Sequence, residues 1–184
     1  MHRRSTALVL AAALSTAATV GAGGATAEPQ AASAVARLRL AVSSAELAAC
    51  FPRASATVTV QLTTDAVGKD TFVIVASGLQ ANTDFTVFLL QQAGPPFGAA
   101  EYIGDMSADR YGSASGRFQL IVEEAFALNL ARSPRQTQLN SVGFWFADQR
   151  ADDACLGTGS AVTPFDGDGR AGLQMMNSGA ARLP

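Results

Sequence analysis

DFTVFLLQ, Asp84–Gln91, is the stretch on which the reading of the fold turns. As a strand it puts Phe85, Val87 and Leu89 on one side and Thr86, Phe88 and Leu90 on the other, because successive side chains alternate across a pleat. Both sides are therefore apolar. Such a strand belongs in the centre of a sheet with a covering layer on each face. TFVIVAS (71–77) reads the same way. TVTVQLT (57–63) instead alternates, with Val58, Val60 and Leu62 on one side and Thr57, Thr59 and Gln61 on the other, as a half-buried strand does. Between the two apolar runs, GLQANT has the composition of a turn.

Further strand signals flank this centre. In ARLRLAV (36–42), Leu38, Leu40 and Val42 alternate with Arg37 and Arg39, and SSAELAAC (43–50) then reads as a short helix capped by Ser44. One helix across both segments is the competing reading. AEYIGDM (100–106), RFQLIVEE (117–124), NSVGFWFAD (140–148) and SAVTPF (160–165) follow, and AGLQMM (171–176) closes the set. Short strands, turn-rich spacers and little helix predict an all-β fold, an antiparallel β-sandwich. Residues 36–184 form its single domain, after a flexible lead-in over 28–35.

The start of the chain has the features of an export signal. Arg3 and Arg4 form a positive region, Ala7 to Val20 is an apolar stretch too short to span a bilayer, and Ala25-Thr26-Ala27 supplies a cleavage site. A twin-arginine signal is the alternative, and the residues after the pair fit it poorly. Residues 1–27 are thus expected to be removed and the protein to be secreted. Of 184 residues, 157 remain, and the formal charge of −2 becomes −4 once Arg3 and Arg4 leave. Lys69 is the one lysine, and basic residues do not cluster along the chain. Neither a nucleic-acid partner nor membrane insertion is expected.

Cys50 and Cys155, in a chain bound for an oxidising compartment, are expected to form one disulfide. Closing a loop of that length stabilises by about 4–5 kcal/mol on the chain-entropy model. A reactive thiol or a soft-metal site is the alternative. The one histidine, His2, leaves with the signal. That excludes Ser-His-Asp and Cys-His catalysis and histidine-ligated metals from the mature chain.

Other catalytic patterns fail as well. Glu123 and Glu124 face opposite ways in a strand. Glu101 and Asp105 share a face, but four strand residues hold them about 13 Å apart, beyond the roughly 5–9.5 Å of glycosidase pairs. A cross-strand pair involving Asp148 or Asp152 stays open. GSASG (112–116) has Ala114 where a serine nucleophile would stand. An EF-hand starting at Asp166 would need oxygen at position 5, Gly at 6 and Glu at 12, and finds Arg170, Ala171 and Asn177. The DGDG run therefore reads as tight turns, with a non-EF calcium site at Asp166 and Asp168, completed by Asp152 or Asp153, as the alternative.

The segments VASGLQANTDFTVFLLQ, PFGAAEYIGDM, VGFWFAD and VTPFDGDGRAGLQMMNSG together resemble a group of secreted actinobacterial β-sandwich proteins. The GL…NT.FTVFL phrase also resembles immunoglobulin-like and superoxide-dismutase-like sandwiches. The resemblance implies an exported immunoglobulin-like sandwich, here with a short N-terminal helical segment, and brings no activity. The histidines a superoxide dismutase needs are missing.

What remains is recognition. In VGFWFAD, Trp145 faces away from Phe144 and Phe146 and stands between Gly143 and Ala147. It is expected either to pack in the core or against another segment, or to form an exposed platform. With Tyr102, Tyr111 and the loop at Pro95 and Pro96 it makes the candidate binding set. The expected function is a non-catalytic binding module for cell-wall polysaccharide or an extracellular protein, without a cofactor. A hydrolase using cross-strand carboxylates and a small protease inhibitor presenting Pro95-Pro96 are the alternatives.

Overall fold

The computed structural model describes residues 34–63, 68–122, 125–129, 135–163 and 170–184. Residues 1–33, over which the export signal and the lead-in are expected, and Glu123, Glu124, Asp166 and Asp168 lie outside them. In order the elements are β1 (Ala34–Val42), α1 (Ala45–Cys50), β2 (Ser55–Leu62), β3 (Asp70–Ser77), β4 (Asp84–Leu90) and β5 (Ala100–Ser107). There follow β6 (Ala114–Leu120), β7 (Phe126–Asn129), β8 (Arg135–Gln138), β9 (Ser141–Phe146), α2 (Asp153–Leu156) and β10 (Gln174–Asn177).

The alternating stretches form strands because one side of each can be buried. Leu38 and Leu40 of β1, and Val58 and Val60 of β2, point inward, while their neighbours point to solvent. Ser44 caps α1, its hydroxyl accepting from the Leu47 backbone N–H at 3.2 Å, so the strand-then-helix reading holds over the single helix. Cys50 and Cys155 are joined, their Cα atoms 5.9 Å apart, tying α1 to α2 across 105 positions.

Eight strands make one antiparallel sheet in the order β5-β4-β9-β10-β1-β2-β3-β6, and β7 and β8 pair separately. β1 is the joint. Its residues Ala34 to Leu40 pair with β2, and Ala41 and Val42 pair with Asn177 and Met176 of β10. The halves on either side of this joint share a core that includes Val58, Phe72 and Ile74 from one and Phe85, Val87 and Phe144 from the other. At the ends of the order, Gly104 of β5 meets the Phe118 ring of β6, so the sheet nearly closes on itself.

Several expectations need correction. The helix is not N-terminal but connects β1 to β2. β1 begins at Ala34, inside the expected lead-in. SAVTPF contributes only a bridge from Thr163 to Ala171 among its described residues, and the β7–β8 hairpin had no sequence signal. β4 is buried on both sides as expected. β3 is not: Val75 is 54% exposed and lies between Thr57 of β2 and Ser115 of β6 on an open face.

Gly104, at φ +152°, has room for no side chain: a Cβ there would lie 2.5 Å from Cε1 of Phe118. Gly104→Ala is expected to destabilise by about 1–3 kcal/mol through overpacking and backbone strain. Urea unfolding measures it, and an unchanged midpoint would show that the seam does not depend on this contact.

Candidate functional site

On the outer face of the β10-β9-β4-β5 half lies a second apolar layer. Phe88, Leu90, Trp145 and Ala171 are buried there, with Phe97 packed against them. Trp145 is wholly inaccessible, which corrects the exposed-platform expectation and leaves the packing one. Its ring meets Phe88 edge-on at 5.3 Å and Phe97 at 5.1 Å. Phe97 belongs to the loop carrying Pro95 and Pro96. Gly143, on one side of Trp145, leaves the space that Gln174 occupies: a Cβ there would lie 2.6 Å from Gln174 Nε2. That amide donates to the Ala93 carbonyl at 2.8 Å and holds the loop down over the tryptophan. Gln92 N–H donates to Phe97 O at 3.0 Å, which folds the loop on itself.

The ring row continues to Tyr102, whose ring lies 5.9 Å from Phe88. Tyr102 is 45% exposed, and its hydroxyl donates to Asp105 at 2.9 Å. The fold thus brings Trp145, Tyr102 and the Pro95–Pro96 loop together on one face. Tyr111 is not part of this group. It sits on the β5–β6 turn with the Arg110 guanidinium 4.5 Å from its ring centre. Asp109 braces that turn by accepting from the Ser113 and Tyr111 backbone N–H groups, which hold its carboxyl below the usual range.

Where the loop edge meets α1 there is a cleft of about 480 Å³. Its apolar lining is Leu47, Pro95, Phe97, Ala161, Val162 and Leu173. Four polar side chains also line it, and each is engaged elsewhere. Ser43 donates to the Gln174 carbonyl, and Thr163 donates to Gly172 O at 2.9 Å. Gln174 donates to Ala93 and accepts from Asn177 at 2.8 Å. Ser44 accepts from Leu47 and bonds the Glu46 carboxylate; Glu46's own backbone N–H, then the Ser44 hydroxyl, hold that carboxyl below its usual range. None of the described lining side chains is ionisable. A volume of this size with apolar walls suits a small ligand or an inserted apolar side chain.

The carboxylates are arranged differently from the sequence reading. A β-bulge near Ile103 sets Asp105 opposite Thr86 and Tyr102 opposite Phe88, but Glu101 opposite Leu89. One extra residue reverses the phase of a strand, so Glu101 and Asp105 lie on opposite faces. Asp84 and Asp148 line one polar pocket with Asn82, Thr83 and Gln80. Asp152 is buried and accepts from Ser160 at 2.7 Å. Among the described residues no group of three or more His, Cys, Asp or Glu is placed to hold a metal ion.

The sheet also assembles a charge pattern that is invisible along the chain. Arg37, Thr59, Val73 and Arg117 form one cross-strand row, and Arg39, Thr57, Val75 and Ser115 the next. Neither row contains a carboxylate. No family model matches the chain, and no curated protein matches its sequence. Among the described residues, no helix is long and apolar enough to cross a membrane.

The cleft residues Leu47, Val162, Leu173 and Gln174 escaped sequence reasoning; only Ser44, as a cap, and Pro95, as a loop residue, carried a signal. Trp145→Ala is expected to cost about 3–5 kcal/mol, as a buried large-to-small change does, measured by denaturant unfolding. Ser44→Ala is expected to raise the Glu46 pKa toward its ordinary value. A folded-state pKa below the unfolded one stabilises above the unfolded value and is lost as pH falls through the folded value. The variant should therefore keep the part of the shift due to the Glu46 backbone N–H and lose the part due to the Ser44 hydroxyl, read as a partial rise in the Glu46 titration midpoint by NMR.

Proposed function

We propose that this chain is an exported, non-catalytic binding module whose recognition site is the cleft between the Pro95–Phe97 loop and α1. The observation that carries the reading is the cleft itself, an apolar hollow walled by four separate segments and backed by the Phe97–Trp145 contact. Rigid walls keep the entropic cost of binding low. In this proposal the fold is an immunoglobulin-like sandwich, for which the two half-sheets facing a common core speak, and it belongs with the secreted actinobacterial proteins that the sequence resembles. The Cys50–Cys155 disulfide supports an extracellular location. The partner is an extracellular protein, or a smaller molecule from the same surroundings, rather than nucleic acid.

Two other observations favour alternative readings. The rows holding Arg37, Arg39 and Arg117 make an uncovered, hydroxyl-rich face, and this face supports a polysaccharide ligand where Trp145 no longer does. The shared pocket of Asp84 and Asp148 supports a hydrolase. Protease inhibition through Pro95-Pro96 has less behind it, since hydrogen bonds fold that loop down onto the sheet.

The test incubates the disulfide-bonded protein with cell-wall polysaccharide and with extracellular protein, beside Val162→Asp, Arg37→Gln/Arg117→Gln and Asp148→Asn. Val162 is 41% exposed, so its substitution should leave the fold intact. Retention of an unaltered partner, lost on Val162→Asp alone, is the expected result. Loss on the arginine change alone moves recognition to the sheet face. Cleavage of the partner that Asp148→Asn abolishes would make the protein a hydrolase.

A further inference from the structure

We infer that the cleft takes an uncharged, predominantly apolar small molecule carrying a ring system, and that it discriminates against anionic analogues of the same shape. This rests on the reading of the cleft as the binding site.

The argument is one of unmet demand. A pocket selects polar ligands by presenting donors and acceptors that water satisfies before binding and the ligand satisfies afterwards. Here the hydroxyl protons of Ser43, Ser44 and Thr163 go to Gln174 O, the Glu46 carboxylate and Gly172 O, so these groups have no proton left to give an anion, and Gln174 is held by Ala93 O and Asn177. A ligand carboxylate or phosphate entering the cleft would leave its hydration, meet no cationic side chain among the described lining residues, and find the Glu46 carboxylate beside Ser44. An apolar ligand gives up nothing comparable and gains the burial of its own surface and that of Val162, Leu173 and Pro95. The Phe97 ring sits in the wall, held on its far side by Trp145, and so gives a fixed aromatic surface against which a ligand ring can pack.

The same geometry supplies the readout. Trp145 is the one tryptophan of the chain and lies directly behind Phe97. A dye bound in the cleft that absorbs tryptophan emission will quench it by energy transfer. 1-Anilinonaphthalene and its 8-sulfonate have the same rings and differ by one anionic group. The experiment titrates each into the disulfide-bonded protein, into Val162→Asp, and into Val162→Phe, which fills the cleft without adding charge or a second tryptophan.

The expected result is that the neutral dye quenches Trp145 and binds at least tenfold more tightly than the sulfonate. Both Val162 variants should weaken it at least tenfold at an unchanged unfolding midpoint. Should either variant fold poorly, the other carries the comparison. If both dyes bind equally and both are displaced by the Val162 changes, the cleft is a binding site but its preference for uncharged ligands is wrong. Failure of the neutral dye to bind, or binding indifferent to both Val162 changes, overturns the ligand class and the cleft reading together.

Discussion

The structure depends on β1 pairing with two different neighbours. Its first seven residues lie against β2 and its last two against β10, so one strand makes two half-sheets continuous. Leu38 and Leu40 point from the joint into the core that both halves share. The chain then enters α1 directly, and the Ser43 N–H donates to the Met175 carbonyl at 3.1 Å. The disulfide fastens α1, which follows the joint, to α2. Backbone hydrogen bonds and the shared core thus secure one seam. At the opposite seam, side-chain contact does the work: Phe118 fills the space left by Gly104 and Gly116.

Covering the outer face of β4 and β9 has a chemical consequence. A sheet face rich in Phe, Leu and Trp must be shielded from water, and here the loop after β4 folds back to do so. The shield is incomplete at its edge, where Pro95 and Phe97 approach α1 and the segment around Val162. The cleft is the remainder of that covering. Its apolar character follows from its origin, since its walls are parts of a core layer and its polar side chains hold the walls in place. The outer face of β1, β2, β3 and β6 carries Thr, Ser, Gln and Arg around Val35, Val73 and Val75, and stays open.

The legible parts of the fold were those governed by local periodicity. The alternation in TVTVQLT marks β2, the two-sided apolar run DFTVFLLQ marks a strand covered on both faces, and Ser44 marks the start of α1. Two-sided apolarity misled at TFVIVAS, because Val73 and Val75 carry the same signal as Phe88 and Leu90 whether or not a loop returns to cover them. Glu101 and Asp105 were misplaced for a different reason: a bulge inserts one residue and reverses the phase, and no composition marks it. The site was legible only in fragments. Pro95 announced a loop and Trp145 an aromatic between small neighbours, but the segments that form the cleft with them lie far away in sequence.

Read without a structure, the sequence determined a mainly β chain, the two cysteines available to pair, and a single histidine, at position 2. These follow from side-chain inventory and from alternation between adjacent residues, which are local properties. Tertiary structure alone decided that one sheet wraps around a single core, that Trp145 is roofed, and that Arg37 and Arg117 share a row. It also decided that Leu47, Phe97, Val162 and Leu173 meet around one hollow. Each of these needs a contact between residues distant along the chain, and such contacts are set by strand register and loop return, which no single stretch encodes.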